Sequence, residues 1–221
     1  MTAIPSPESI RDALSRHILH DIPALPGRTN HLHAGVLVPL RWDADQLTCI
    51  VTQRTSHLRE HAGEVVFPGG KPDPEDRDLV DTAMREAREE LGIEDADPLG
   101  VLSAMPLFTS DYRLVPTVAR LSSRPLVPAA DEVARVFEVD LMALLQAPEM
   151  SGIPWPQFAG QPPSPIFELP QAVMYGATAH TFLELLQVVA QVAGLPMPAW
   201  ELTTWGWDFS VNRPMRLGVV V

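Results

Sequence analysis

Three glutamates near the middle of the chain have the spacing of a metal-binding cluster. Glu86, Glu89 and Glu90 lie three and four residues apart, and side chains at these spacings share one face of an α-helix. Converging carboxylates repel one another unless cations neutralise them, and such oxygen ligands suit Mg²⁺ or Mn²⁺, which also bind phosphate. Arg85 can hold a neighbouring carboxylate by a two-pronged contact. The alternative is a solvent-exposed helix face with internal ion pairs, which is the usual meaning of such a composition.

A glycine pair upstream favours the metal site over that alternative. Gly69 and Gly70 allow a sharp turn and a close approach of the backbone to a ligand. A glycine carbonyl there can complete a metal site. The combination of this turn with the charged string and a terminating Gly92 is harder to explain as a solvated surface.

The helix that must carry the glutamates is predicted at Leu79–Leu91. Asp78 is a suitable N-cap, and Gly92 is placed to end the helix in the left-handed conformation. Leu79, Ala83, Ala87 and Leu91 can pack another face of this helix onto a sheet. Other helices are predicted from a Ser6 cap to about His20, at Leu141–Gln146 and at Gly176–Ala193.

The remaining pattern predicts strands on both sides of that helix. Their alternation with helices predicts an α/β sandwich in which a mixed β-sheet is flanked by helices. The proline-rich Pro148–Pro165 stretch is interpreted as an ordered surface loop. The predicted strands are His33–Arg41, Leu47–Arg54, Glu64–Phe67, Pro98–Phe108, Arg113–Leu121 and Val133–Val139.

Composition limits the partners and the compartment. The 221 residues suffice for one domain, and the net charge of −12, without a basic cluster, argues against nucleic acid. Cys49 is the single cysteine and reads as a buried apolar residue. No signal peptide and no membrane span are predicted, so the expectation is a cytoplasmic protein that binds a small molecule.

The segment Arg85–Ile93 resembles the second half of the Nudix box, Arg-Glu-apolar-x-Glu-Glu-x-Gly-apolar. The first half departs, because Asp76 replaces the first glutamate and the spacing to Arg85 is one residue longer. The lengthened box is similar to that of the coenzyme A pyrophosphatase branch. Two further segments, Thr52–Gly70 and Tyr175–Ala179, also resemble sequences of this branch.

The resemblance implies a Nudix-type fold and metal-dependent hydrolysis of coenzyme A or acyl-coenzyme A to 3′,5′-ADP and (acyl-)4′-phosphopantetheine. It implies Mg²⁺ or Mn²⁺ as cofactor, with Glu86 and Glu90 as main ligands and Glu89 as a ligand or the base. One more acid is expected from a later loop. The catalytic candidates are Glu89, Arg85 and Glu86; the metal candidates are Glu86, Glu90, Glu89 and the Gly70 carbonyl; the later acids are Asp111, Asp131 and Glu132.

Positive charge for the substrate is expected from the segment just before the metal helix. Some of these residues can equally be ordinary surface residues. Arg54 and Arg59 are stronger candidates than His57 and His61. The substrate-binding candidates are Arg54, Arg59, His61, Lys71 and Gly69.

Two rival functions stay open at this point. One is a Nudix hydrolase for ADP-ribose, dinucleotides or nucleoside triphosphates, and the other is a binding module without catalysis. The domains are predicted as residues 1–30 (helix and lead-in), 31–195 (hydrolase) and 196–221 (a tail packing on the domain or on a partner in a homodimer). The tail residues Trp200, Trp205 and Trp207 can stack on adenine or bury a dimer contact, although covering the sheet edge is the ordinary explanation.

Overall fold

Long apolar strands form the centre of the molecule because they are covered on both faces. The computed structural model describes residues 3–43, 45–154, 162–211 and 213–217. Seven consecutive residues of the first strand, from Ala34 to Leu40, are buried, which is typical of a strand between two helical layers. The strands of the main sheet are β1 (Leu32–Asp43), β2 (Gln46–Arg54), β3 (Val65–Val66), β4 (Gly69–Gly70), β5 (Ala96–Val101), β6 (Met105–Pro106), β7 (Tyr112–Leu121) and β8 (Val133–Asp140).

The sheet is mixed, as the sequence predicts. Its order is β3-β2-β1-β7-β5, with β4 also pairing β1, β6 also pairing β7 and β8 also pairing β2. The β1–β7 pair is parallel, and the other pairs are antiparallel. The helices that flank it within the described ranges are α1 (Pro7–Arg16), α2 (Leu79–Leu91), α3 (Leu141–Gln146) and α4 (Gly176–Ala193).

The helices form two layers with separate cores. Ala83, Ala87 and Leu91 of α2 pack against Leu37 and Ile50 on one face of the sheet. Helices α1, α3 and α4 share the larger core on the other face, and Phe182 of α4 is fully buried there. The α/β sandwich is therefore confirmed.

Helix α2 has the predicted bounds because both of its ends carry strong signals. The Asp78 carboxylate accepts hydrogen bonds from the Val80 and Asp81 amides, and Gly92 adopts φ 66°, ψ 25°. Its first turn lies directly on β1 at Gly35, where an added Cβ would overlap the Leu79 carbonyl and stand 2.9 Å from the Thr82 Cβ. A glycine at this point allows the helix to approach the sheet closely.

Three predicted elements are shorter than expected. The predicted strand Glu64–Phe67 is limited to Val65–Val66. The predicted strand Pro98–Phe108 is divided into β5 and β6, because the Ser103 amide between them donates to the buried Glu184 carboxylate of α4 instead of to a strand. Helix α1 ends at Arg16, four residues before His20, where His17 leaves the helical conformation.

The proline-rich stretch is not simply a loop, which corrects the interpretation above. Residues Glu149–Ile153 form β9, and β10 (Ser164–Leu169) begins at its end; residues 155–161 lie outside the described part. These strands belong to a second sheet, β11-β10-β9-β12, completed by β11 (Ala172–Met174) and β12 (Ala199–Glu201). Prolines at strand ends and edges are compatible with such pairing.

The tail packs on this second sheet. Strands β13 (Trp205–Asp208) and β14 (Arg213–Arg216) form an antiparallel hairpin, called the tail hairpin below. Trp205 is buried against Ile153 and Ile166, and its indole N–H donates to Glu168. Of the three tail tryptophans, Trp205 thus belongs to a small core of its own chain.

Among the described residues, none of the helices has the length and apolar character required to cross a bilayer.

Candidate functional site

The Glu86 side chain lies against the backbone of the glycine turn. Strand β4 places Gly70 opposite Gly35 of β1, and a Cβ added to Gly70 would overlap the Glu86 carboxylate. A Cβ added to Gly69 would stand 2.5 Å from the Gly35 carbonyl oxygen. Neither position has room for a Cβ: the Gly69 backbone lies against β1, and the Glu86 carboxylate occupies the space beside Gly70.

Glu90 is a buried acid without full compensation. It is 3% exposed, its Oε2 has no hydrogen-bond partner among the residues that the structure describes, and its Oε1 lies 3.6 Å from Nη1 of Arg54. Burial raises the pKa of Glu90 to about 8, although the Arg54 charge opposes this shift. A buried oxygen left unpaired in this way is the expected state of a ligand group that a cation would satisfy.

Glu89 faces solvent, unlike the other two glutamates. Its side chain is 58% exposed and lies 3.3 Å from Nη1 of Arg85. Within the described ranges, no three His, Cys, Asp or Glu side chains already stand together as a metal cage. The three glutamates therefore border one region without converging on a single point.

Arg85 organises the acids around it; we call this set the Arg85 cluster. Its guanidinium contacts Glu86 (3.0 Å), Glu89 (3.3 Å) and Asp76 (3.0 Å), lies 3.6 Å from Asp73, and donates to the Lys71 carbonyl (3.0 Å). The arginine thus holds two of the three glutamates and the loop after the glycine turn in one arrangement.

Asp76 binds Arg85 and does not join the three glutamates of α2. Its carboxylate accepts from Arg85 and from the Thr82 hydroxyl, and these contacts lower the pKa of Asp76 to about 2. The position that departs from the box pattern therefore anchors Arg85.

Among the three later acids, Glu132 is the one whose charge acts on the helix carboxylates. Burial is the main cause of the raised pKa of Glu86, and the Glu132 and Glu89 charges add to it. Glu132 also raises the pKa of Glu90. By contrast, Asp111 accepts from the Thr29 amide in the lead-in, and Asp131 contributes its backbone carbonyl to Thr55.

The loop that carries Glu132 is docked on the end of α2. The Ala129 amide donates to the Glu90 carbonyl, and the Glu132 carbonyl accepts from the Thr55 amide. These bonds join the end of β2, the end of α2 and the approach to β8. The sequence alone could not select Glu132, because both hydrogen bonds join backbone atoms and no particular side-chain type indicates them.

The substrate-binding candidates occupy different environments. Arg54 is largely buried beside Glu90, whereas Arg59 is exposed and has no ion-pair partner among the described residues. The Lys71 ammonium lies 5.3 Å from the centre of the Tyr112 ring. The Nε2 of the exposed His57 lies 3.5 Å from the Thr55 hydroxyl oxygen.

His61 is paired with an acid that the sequence interpretation missed. Its Nδ1 lies 2.8 Å from Oε2 of Glu64, and the Arg213 guanidinium donates to the neighbouring Ala62 carbonyl at 3.1 Å. Arg213 lies about 150 residues further along the chain in β14, so no local pattern could have indicated it. The tail hairpin therefore reaches the segment that carries the candidate cations.

Comparison with known proteins relates the chain to a family by sequence. A model of the NUDIX domain matches residues 31–157. A Pectobacterium atrosepticum protein named uncharacterized Nudix hydrolase NudL is 36% identical over 140 residues, covering 62% of this chain and 72% of that protein. A protein of the same name from Yersinia enterocolitica is 40% identical over 120 residues, covering 53% of this chain and 60% of its own. The chain thus spans less than two thirds of the second relative.

Solved structures with a similar fold are more distant. The MutT protein of Methanosarcina mazei has a TM-score of 0.45 at 17% identity, covering 78% of this chain and 96% of that one. The NUDIX domain of Shewanella oneidensis NrtR, solved in complex with ADP ribose, has a TM-score of 0.42 at 20% identity, covering 62% and 86%. Because these TM-scores are below 0.5, the relationship to the family rests on the sequence matches.

Proposed function

The chain belongs to the NUDIX domain family, and from this premise we propose that it hydrolyses the diphosphate linkage of coenzyme A or acyl-coenzyme A. Membership and the hydrolase relatives identify a Nudix hydrolase, a pyrophosphohydrolase of nucleoside diphosphate-linked compounds. The coenzyme A substrate, the cytoplasmic location and the residue roles below are proposals that rest on the sequence and on the geometry described above.

The residues present fit a divalent cation. All candidate ligand atoms are oxygens, the Oε2 of Glu90 is buried with no hydrogen-bond partner in the described part of the chain, and the Glu86 carboxylate lies against the Gly70 backbone. Glu86, Glu90, Glu89 and the Gly70 carbonyl would hold Mg²⁺ or Mn²⁺, with Glu132 as the further acid. When bound, the metal would polarise the diphosphate and lower the pKa of the attacking water.

The chain's own groups have separate tasks in this proposal. Water attacks one phosphorus, its oxygen forms the new P–O bond, and the bridging P–O bond breaks to give 3′,5′-ADP and 4′-phosphopantetheine. Glu89, the exposed glutamate, takes the proton of this water. Arg85 keeps Glu86 and Glu89 in place, and Arg54, Arg59, His61 and Lys71 bind phosphate oxygens. Gly69 allows the backbone to approach the substrate.

One observation carries the choice of substrate. Tyr175, which opens the second segment similar to the coenzyme A branch, lies beside Glu64 of the first such segment, more than 100 residues away in sequence, and each group affects the pKa of the other. The Tyr175 hydroxyl has no hydrogen-bond partner among the described residues, so proximity, and not a hydrogen bond, places the two segments in one wall. Through the backbone bond between Arg54 and Glu64 (3.0 Å), this wall continues to the arginine beside Glu90.

A turnover screen tests the proposal. Purified protein is incubated with Mg²⁺ or Mn²⁺ and with coenzyme A, acetyl-coenzyme A, ADP-ribose, NADH or dATP, and the products are identified by mass. We expect the coenzyme A compounds to give the highest kcat/KM and 3′,5′-ADP as product, and EDTA to abolish turnover.

Other results would select a rival function. A higher kcat/KM for ADP-ribose, NADH or dATP would replace the substrate while keeping the metal site. Absence of hydrolysis with every compound and both metals would favour a binding module. Homodimer formation stays a prediction, which light scattering of the same sample would test.

A further inference from the structure

The Glu64 carboxylate joins three parts of the chain that are far apart in sequence. It accepts a hydrogen bond from His61 of its own loop, and the Arg213 charge of the tail hairpin acts on it. The Tyr175 hydroxyl at the start of α4 lies near Glu64 but has no hydrogen-bond partner among the described residues, and the Tyr175 ring lies 5.9 Å from the Trp207 ring of the tail hairpin. Arg213 also donates to the Ala62 carbonyl. We call His61, Glu64, Tyr175 and Arg213 the Glu64 cluster.

The backbone at this cluster is held in an uncommon conformation. His61 has φ 55°, in the left-handed region that a residue with a Cβ seldom adopts, and Gly63 follows with φ 71°. The turn is closed by the bond from the Glu64 amide to the His61 carbonyl (3.1 Å) and by the side-chain contact between the same residues (2.8 Å). Such conformations persist where surrounding contacts maintain them, and they are concentrated at ligand clamps.

The cluster is connected to the carboxylate site by backbone bonds. The Arg54 amide donates to the Glu64 carbonyl (3.0 Å), and the Gln53 side chain donates to the Gly63 carbonyl (3.1 Å). Arg54 is also the residue that faces Glu90. A displacement of Glu64 would therefore be transmitted to an arginine at the candidate metal site.

We propose that Glu64 is a positioning residue for the substrate diphosphate: it orients His61 toward the phosphates and ties the residue 54–64 segment to the tail hairpin through Tyr175 and Arg213. This inference rests on the proposed function. It assigns the tail hairpin a part in substrate affinity, although the hairpin lies outside the family match at residues 31–157.

The protonation states agree with this role. The hydrogen bond that His61 donates to Glu64 raises the pKa of His61, which favours the imidazolium; the charge of Glu60 acts in the same direction, and burial and the charge of Arg54 oppose it. Nδ1 is committed to Glu64, so Nε2–H is the ring donor that this proposal assigns to a phosphate oxygen. Burial raises the pKa of Tyr175 to about 12, so its hydroxyl keeps its proton.

The test compares Glu64→Gln and Arg213→Ala with the matched control Arg216→Ala. Arg216 is in the same strand but pairs with Glu168 and lies over the Trp205 ring, 5.4 Å from its centre. With coenzyme A and Mn²⁺, we expect the first two variants to raise KM about tenfold while kcat stays within about twofold, because the lost interaction serves binding. The control should keep the wild-type KM.

A second readout needs neither metal nor turnover. In metal-free protein, the NMR titration of the His61 ring should give a lower pKa in Glu64→Gln than in the wild type, and Arg213→Ala should speed hydrogen exchange in residues 55–64. Equal KM values in wild type and Glu64→Gln, or an unchanged His61 pKa, would overturn the inference. So would parallel losses of kcat and melting temperature, which indicate a merely structural role.

The two readouts separate this inference from the proposed function. If wild-type protein hydrolyses no diphosphate, the proposed function fails, and the titration and exchange measurements still decide whether Glu64 orients His61 and the segment. If wild-type protein hydrolyses coenzyme A but the variants match it, only the inference on Glu64 fails.

Discussion

The Arg85 cluster and the Glu64 cluster are built in opposite ways. The Arg85 cluster places one cation among carboxylates, and most of its members lie within 20 residues of one another in the chain. The Glu64 cluster places one carboxylate among polar side chains that come from a loop, a helix start and the tail hairpin.

The difference separates two requirements of the proposed reaction. The acids must keep their mutual geometry although they repel one another, and local helical spacing around a shared arginine provides this. The cationic side must fit one substrate, and elements from distant parts of the chain provide a surface that can change without disturbing α2. We therefore expect damage to the first cluster to reduce catalysis, and damage to the second to reduce affinity.

Glu90→Gln should have the largest effect. It replaces the buried ligand by a neutral amide, and we expect kcat to fall roughly 10³-fold, which is about 4 kcal/mol of transition-state stabilisation. The fold should persist, because the variant removes a charge that burial disfavours. Steady-state kinetics with coenzyme A and thermal unfolding in EDTA would measure both effects, and near-normal turnover would contradict the assignment.

Arg85→Ala should follow, with a loss of roughly 10² in kcat as the carboxylates lose their common anchor. Arg88→Ala is the matched control, because Arg88 is exposed on the same helix and should leave kcat unchanged. Equal losses in the two variants would show that the general charge of α2, and not the Arg85 cluster, is what matters.

Gly70→Ala should lower kcat about tenfold, because its methyl group occupies the space of the Glu86 carboxylate. The carboxylate is the end of a flexible side chain, so we expect it to shift while the protein stays folded. Manganese titration of turnover should show weaker metal activation than in the wild type. An unchanged metal dependence would place Glu86 outside the metal site.

Acidification should destabilise the region around His180 at a higher pH than the region around Asp76, and this effect is smaller and more gradual than those of the substitutions. Burial lowers the pKa of His180, behind the second sheet, to about 4, so stability from its neutral form is lost as the pH falls from 6.5 toward 4. Asp76 in the Arg85 cluster has its pKa lowered to about 2, so its contribution is lost only below its ordinary pKa of 3.8.

Hydrogen exchange measured by mass spectrometry at pH 7, 5 and 3.5, corrected for the intrinsic rate, would follow both regions. Protection in β10 and the start of α4 should decrease before protection in α2. His180→Gln should reduce the difference between pH 7 and pH 5. Loss of protection in α2 first would contradict the assignment of these pKa shifts.

The helix that carries the acids could be predicted to the residue, because its signals are local. The Asp78 cap, the spacing of Ala83 and Ala87, and Gly92 all lie within one element. The hairpin of β1 and β2 was predictable for the same reason, since apolar strands are separated by a short polar turn. The roles of Glu86, Glu89 and Glu90 still await the kinetics described above.

The rest depends on contacts that no local pattern records. The break between β5 and β6 requires Glu184 from α4, and the strand in the proline-rich stretch requires a partner strand on each side. Arg213 reaches the Glu64 loop only after the tail has folded onto the second sheet. Asp76 could be identified as an unusual acid, but its attachment to Arg85 depended on the course of the loop.

Gly35 and Gly70 lie opposite each other in neighbouring strands, one beneath the first turn of α2 and one beside Glu86. The distance between helix α2 and the sheet, and with it the position of the α2 carboxylates, therefore depends on the absence of a Cβ at these two positions. To adapt the candidate site to an ion of different radius, one would therefore substitute Gly35 or Gly70 and keep the glutamates.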